Sequence, residues 1–93
     1  MELGRLLSTA GVAALASEND DFAKHVLISL TRYVAHDWGD LCGDDWTTNE
    51  MAMESGEQRI FAAYKHPVHE DWRIWIITEW DRSVTTILFP DEY

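Results

Sequence analysis

The spacing of apolar residues changes period partway along this 93-residue chain. Phe22, Val26, Leu30, Tyr33 and Val34 recur at helical intervals, and Leu27 and Trp38 widen the same face. Asp20 or Asp21 supplies an N-cap and Gly39 a terminator, so the longest helix is predicted there. Ahead of it, Ser8-Thr9 precedes the run Ala10–Ala16, which predicts a short helix weakened by Gly11 and ended by Asn19-Asp20. Leu3–Leu7 suits either a short strand or a helical lead-in, and the pattern leaves both open. Gly39–Asp45 fits neither period and reads as a loop. Thr48–Glu54 suits a short third helix, closed by Gly56.

Beyond Gln58 the period falls to two. Gln58–Lys65 has strand composition and ends before His66-Pro67. In Trp72–Trp80, one side carries Trp72, Ile74, Ile76, Thr78 and Trp80, and the other Arg73, Trp75, Ile77 and Glu79. Both sides are mostly apolar, which predicts a central strand. Asp81-Arg82-Ser83 reads as a turn, and Val84–Phe89 as a further strand stopped by Pro90. The expected fold class is therefore α+β: N-terminal helices packed on a three-stranded antiparallel sheet, with residues 1–93 as one domain. Trp72, Trp75 and Trp80 are expected in the core, with Trp38 closing a helix end against them.

Composition supports folding and narrows the function. Apolar content is 46% with five Trp, too high for compositional disorder. A chain of this size buries roughly 60–65% of its extended surface, enough for a modest core but not a large enclosed pocket. Seven basic residues against 17 acidic ones leave a formal charge of -10. Such an excess opposes compaction and points to solubility, high salt or a positively charged partner. It argues against direct binding of nucleic acid or an anionic membrane, which need basic residues. Cys42 is the sole cysteine, so no internal disulfide forms and a reducing interior is its natural setting. No signal peptide and no apolar run of membrane-spanning length is evident, and the chain reads as cytosolic.

The carboxylates are concentrated. His36–Glu57 holds Asp37, Asp40, Asp44, Asp45, Glu50, Glu54 and Glu57 and contains no Lys or Arg. These residues lack the alternating ligand spacing and terminal Glu of a calcium loop. His66 and His69 flank Pro67-Val68, and Cys42 is a conceivable third zinc ligand, but no compact Cys/His motif exists. Ser83–Thr86 beside Asp81 offers hydroxyls without a recognisable base or oxyanion site. Gly39 and Gly43 flank acidic residues, unlike a phosphate-cradling loop. The sequence thus predicts no cofactor, no metal and no catalytic centre. Trp46, inside the tract, reads equally as an interface anchor ringed by charge or as a tie to the core. On a helix, Glu50 and Glu54 stand about 6 Å apart along one side. That spacing is comparable in scale with a nucleic-acid backbone, whose phosphates advance about 3.4 Å per strand. The candidate partner-binding set is Asp37, Asp40, Asp44, Asp45, Trp46, Glu50, Glu54 and Glu57.

Three stretches, "HDWGDLCGDDWTTNE", "WIITEWDRSVTTILFP" and the closing "DEY", together resemble a family of small acidic proteins carried on bacterial plasmids, integrative elements and phages. Asp37, Asp40, Asp44, Asp45 and Glu50 match its acidic positions, and Trp75, Thr78, Glu79, Asp81 and Arg82 match further motif positions. Trp46-Thr47-Thr48 departs from it, standing where the family usually has more charge. In size and charge the chain is also similar to acidic anti-CRISPR proteins directed at type I-C systems. That resemblance implies inhibition by imitation of DNA, with the basic nucleic-acid-binding surface of a surveillance complex as partner. Two alternatives remain at this level: a mobile-element protein-interaction module without mimicry, and a small metal-binding or hydrolytic protein.

Overall fold

The computed structural model describes residues 2–41, 43–56 and 58–93. Along the chain run β1 (Arg5–Ser8), α1 (Ala10–Glu18), α2 (Asp20–Val34), α3 (Gly43–Ser55), β2 (Ile60–Tyr64), β3 (Ile74–Thr78) and β4 (Val84–Leu88). Short 3-10 turns occupy Glu70–Trp72 and Pro90–Glu92. The strands lie in the order β1-β4-β3-β2, and β1 runs parallel to β4 while the other pairs are antiparallel. This corrects the expected three-stranded antiparallel sheet. Three helices pack on a four-stranded mixed sheet. The segment left open at Leu3–Leu7 supplies the extra strand, displaced slightly to Arg5–Ser8. All four of its residues are exposed, so no buried alternation marks it, and its partners lie about 80 residues away in the chain.

β3 is an interior strand, as its two apolar sides predict. Its register places Ile76 between Ala62 and Ile87, and Thr78 between Ile60 and Thr85. Those residues, with Tyr64 and Ile74, form the sheet face on which the core is built. Val12 of α1, Phe22 and Tyr33 of α2, and Ala52 of α3 complete that cluster with Trp38 and Trp72. Each fully buried aliphatic or aromatic side chain contributes about 1.5–3 kcal/mol of transfer free energy. Phe61, Ala63, Trp75, Ile77, Thr86 and Leu88 line the other face. There Phe61 and Trp75 meet edge to face at 4.9 Å, and Tyr93 meets Trp75 at 5.7 Å.

Two polar devices tie the layers together. The first is a buried line of hydroxyls. Thr85 Oγ1 donates to the Leu3 carbonyl at 2.7 Å, so its oxygen must accept at 2.8 Å from Thr78. Thr78 in turn accepts from the Tyr33 hydroxyl at 2.7 Å. One donor per hydroxyl fixes the direction of the whole chain. Burial pushes the Tyr33 phenol up to about 12, so it remains a donor at neutral pH. The second device is Arg82, whose guanidinium donates to the carbonyls of Gln58, Glu79, Trp80 and Ala52. It binds the C-terminal part of α3 to the β3–β4 turn.

Several boundaries move from their expected places. Asn19, not Asp20 or Asp21, caps α2, its side-chain oxygen accepting from the Asp21 and Phe22 amides at 3.0 and 3.1 Å. α2 stops at Val34 rather than Gly39, because His36 adopts a left-handed φ of 64°. His36 N–H then bonds the Tyr33 carbonyl and Asp37 N–H the Arg32 carbonyl, a Schellman closure built without glycine. α3 begins at Gly43, shortening the expected loop and lengthening the expected Thr48–Glu54 helix. Asp44 and Asp45 suit its positive N-terminal end, and Thr47 and Thr48 bond back to the Gly43 and Asp44 carbonyls. The strand expected over Trp72–Trp80 is confined to Ile74–Thr78. Trp72 is buried from a 3-10 turn, and Trp75 is half-buried. Trp80 is 62% exposed at the β3–β4 turn, so it is not a core residue.

Candidate functional site

The acidic tract spans the link after α2 and the whole of α3. Its first half is woven into the fold. Arg32 pairs with Asp37 in a fork, Nε to Oδ2 at 2.8 Å and Nη2 to Oδ1 at 3.1 Å. Asp37 Oδ1 also accepts from the Gly39 amide, and the Asp37 carbonyl accepts from the Tyr64 hydroxyl at 2.7 Å. The hydrogen bonds from Arg32 hold the Asp37 carboxyl below its ordinary value. Asp37 is thus a local organiser, with roughly two fifths of its side chain still exposed.

Beyond it the chain docks onto the outer edge of β2. Gly39 bridges Ala63 in parallel fashion, with Asp40 N–H donating to the Ala63 carbonyl at 2.8 Å. Asp40 Oδ2 accepts from the Lys65 amide at 2.7 Å. From α3, the buried Asn49 amide both donates to and accepts from the Phe61 backbone, at 2.6 and 3.2 Å. Residues 61, 63 and 65 of this edge are therefore capped, which protects it from pairing with another chain. Gly39 is needed for close approach: its φ is 75°, and a Cβ there would collide with the Ala63 carbonyl and the Tyr64 ring.

The second half of the tract faces outward. Asp44, Asp45, Glu50 and Glu54 are all exposed on α3, while Asn49 and Ala52 face inward. Glu50 Oε1 accepts from the indole N–H of buried Trp38 at 3.0 Å, so it is both a hydrogen-bond partner and a surface charge. Glu54 stands near the C-terminal end of the helix, where a negative charge opposes the helix dipole and the last turn has no basic residue. Its position works against helix stability. Trp46 packs half-buried against the core, so it ties α3 to the domain while part of its side chain stays exposed. Glu57 and Cys42 lie outside the described residues. The structure thus places Asp37 and Asp40 in the link after α2 and Asp44, Asp45, Glu50 and Glu54 on the exposed side of α3, and Arg32 pairs with Asp37.

The other chemical candidates resolve into local structure. Asp81 accepts from the Ser83 amide and hydroxyl at 3.0 and 2.6 Å, a turn motif that draws its carboxyl below the ordinary value. Thr85 belongs to the buried hydroxyl line. His66 Nδ1 accepts from the Val68 and His69 amides, both at 3.1 Å. Among the described residues no group of three or more His, Cys, Asp or Glu is placed to hold a metal ion. No helix among them is long and apolar enough to cross a membrane.

Sequence reasoning missed a second feature, a cleft of about 530 Å³ between α2 and the Lys65–Trp72 segment. Its signal was present in Lys24, His25, Ile28 and Arg32, which share a side of α2 at helical spacing. No protein-family model, curated protein or solved structure matches the chain.

Proposed function

We propose that the chain is a non-enzymatic acidic decoy, which occupies the basic DNA-binding surface of a bacterial defence complex in the host cytoplasm. A type I-C CRISPR surveillance complex is the partner implied by the similarity in size and charge to acidic anti-CRISPR proteins. One observation carries the reading: α3 exposes Asp44, Asp45, Glu50 and Glu54, and its sequence contains no Lys or Arg. From Asp44 to Glu54 the helix advances about 15 Å, a span that would meet several phosphate positions in a basic channel. Asp40, exposed in the link before the helix, adds a further carboxylate, whereas the charge of Asp37 is offset by Arg32. Glu54 supports the reading further, because its place near the helix end is unfavourable for folding.

The test is displacement. Labelled target DNA bound to the purified type I-C complex should be released by this protein, and the protein alone should leave the DNA unbound. Failure to displace DNA from that complex removes it as the partner.

Met51 favours a second reading, a protein-interaction module without mimicry. It is 61% exposed on α3 and lies between Glu50 and Glu54 in the chain. An exposed apolar side chain ringed by charge suits an interface anchor. On this reading Met51→Ser is the most damaging change, and partner binding depends little on salt.

A further inference from the structure

We infer that the cleft between α2 and the Lys65–Trp72 segment is a binding site for a small organic anion with a flat apolar body. The argument begins with charge. Lys24, Arg32 and Lys65, three of the chain's seven basic residues, line this cleft, whereas among the described acidic residues Asp21 alone does so. In a molecule of charge -10, that is a local reversal of sign. Arg32 is engaged by Asp37, but no carboxylate among the described residues pairs with Lys24 or Lys65. Two ammonium groups therefore remain available to a carboxylate or phosphate ester.

The remainder of the lining sets the shape of the ligand. His25, Ser29 and Trp72 are buried at its floor, being 7%, 1% and 9% exposed. His69 stacks on Trp72 with ring centres 4.0 Å apart, and His66 meets both Trp72 and His25 edge to face at 4.8 and 5.1 Å. His25 Nε2 donates to the Trp72 carbonyl at 2.9 Å, and burial lowers the pKa of its ring. His66 keeps an Nε2–H donor, because its Nδ1 accepts two backbone amides. Ile28 and Val68, 60% and 76% exposed, add apolar surface at the same cleft. Planar aromatic walls, apolar side chains and a few cationic groups are the makeup of a small-molecule site, and the volume is within the usual range of about 300–1,000 Å³. The neighbouring groove shares Lys65 and His66 and adds Arg73, but opposes them with Glu70, Asp71 and Asp91. It has no comparable surplus of positive charge.

Phenyl phosphate, inorganic phosphate and benzyl alcohol separate the contributions of anion and ring. Titrated into the protein and followed by amide NMR shifts, phenyl phosphate should perturb Lys24, His25, Lys65, His66 and Trp72. Inorganic phosphate should bind the same residues more weakly, and benzyl alcohol should leave them unmoved. Lys24→Gln combined with Lys65→Gln should weaken phenyl phosphate about tenfold with an unchanged melting temperature. Both side chains are exposed, so folding should survive, and circular dichroism checks it. The inference is overturned if phenyl phosphate gives no shifts at millimolar concentration or shifts residues elsewhere. It is equally overturned if benzyl alcohol binds as well as phenyl phosphate, or if the folded double variant binds like the parent.

Discussion

Asn49 illustrates how much a single side chain decides in a domain this small. Its amide satisfies both backbone groups of Phe61 on the outer edge of β2, so Asn49→Ala leaves an N–H and a C=O without their partner. The expected cost is about 1–3 kcal/mol. For a domain near this size each kcal/mol lowers the melting temperature by about 4–8 °C, and a thermal melt reads the loss directly. Thr85→Val makes a comparable test of the buried hydroxyl line, since it deprives the Leu3 carbonyl of its donor while keeping shape. His25 adds a pH dependence. Its folded pKa lies below the unfolded value near 6.5, so the unfolded chain binds the proton more readily. The stability linked to this ring is complete above pH 6.5 and is lost as pH falls from there toward the folded pKa. Burial is the main cause of the lowering, and His66 across the cleft and Arg32 on its own helix add to it by opposing the charged ring. Denaturant melts at pH 7.5 and 5.5 should show a decline that is shallower in His25→Gln.

At the scale of elements, legibility followed the strength of local pattern. α2 announces itself because Phe22–Tyr33 repeats apolar residues at helical period, and β3 because Ile74–Thr78 is apolar on both sides and rich in β-branched residues. β1 does not, because Arg5–Ser8 is exposed throughout and is held by a parallel pairing that closes only when β4 is in place. The start of α3 was obscured by Gly43, Thr47 and Thr48, weak helix formers, the two threonine hydroxyls only bonding back to the carbonyls one turn earlier. The acidic residues were visible as a tract, but their division of labour was not. Asp37, Asp40 and Glu50 have partners in Arg32, Lys65 and Trp38, and the last two are 25 and 12 residues away in the chain. Glu54 gives the element its own test. Glu54→Lys places a cation near the C-terminal end of α3 and should raise stability by about 0.3–1 kcal/mol, while weakening binding to a basic partner. A melt and a binding measurement on this one variant should move in opposite directions.

For the molecule as a whole, the excess of negative charge is the property the proposed function must use. Exposed carboxylates act on a partner through solvent, where salt screens them over about 10 Å at 0.1 M. Inhibition by an acidic decoy therefore declines as salt rises. Neutralising surface charge relieves self-repulsion, while Asp44→Asn and Asp45→Asn give up a favourable interaction with the start of α3, so circular dichroism must check the fold of any neutral variant. The central claim is tested most directly by the affinity of the type I-C complex for a variant carrying Asp44→Asn, Asp45→Asn, Glu50→Gln and Glu54→Gln, measured beside the parent protein at two salt concentrations. Gln at position 50 keeps an oxygen for the Trp38 indole, so the comparison isolates charge. The account predicts that the parent binds and weakens with salt, and that the folded variant neither binds nor displaces DNA. A folded variant that keeps the parent's affinity would contradict it.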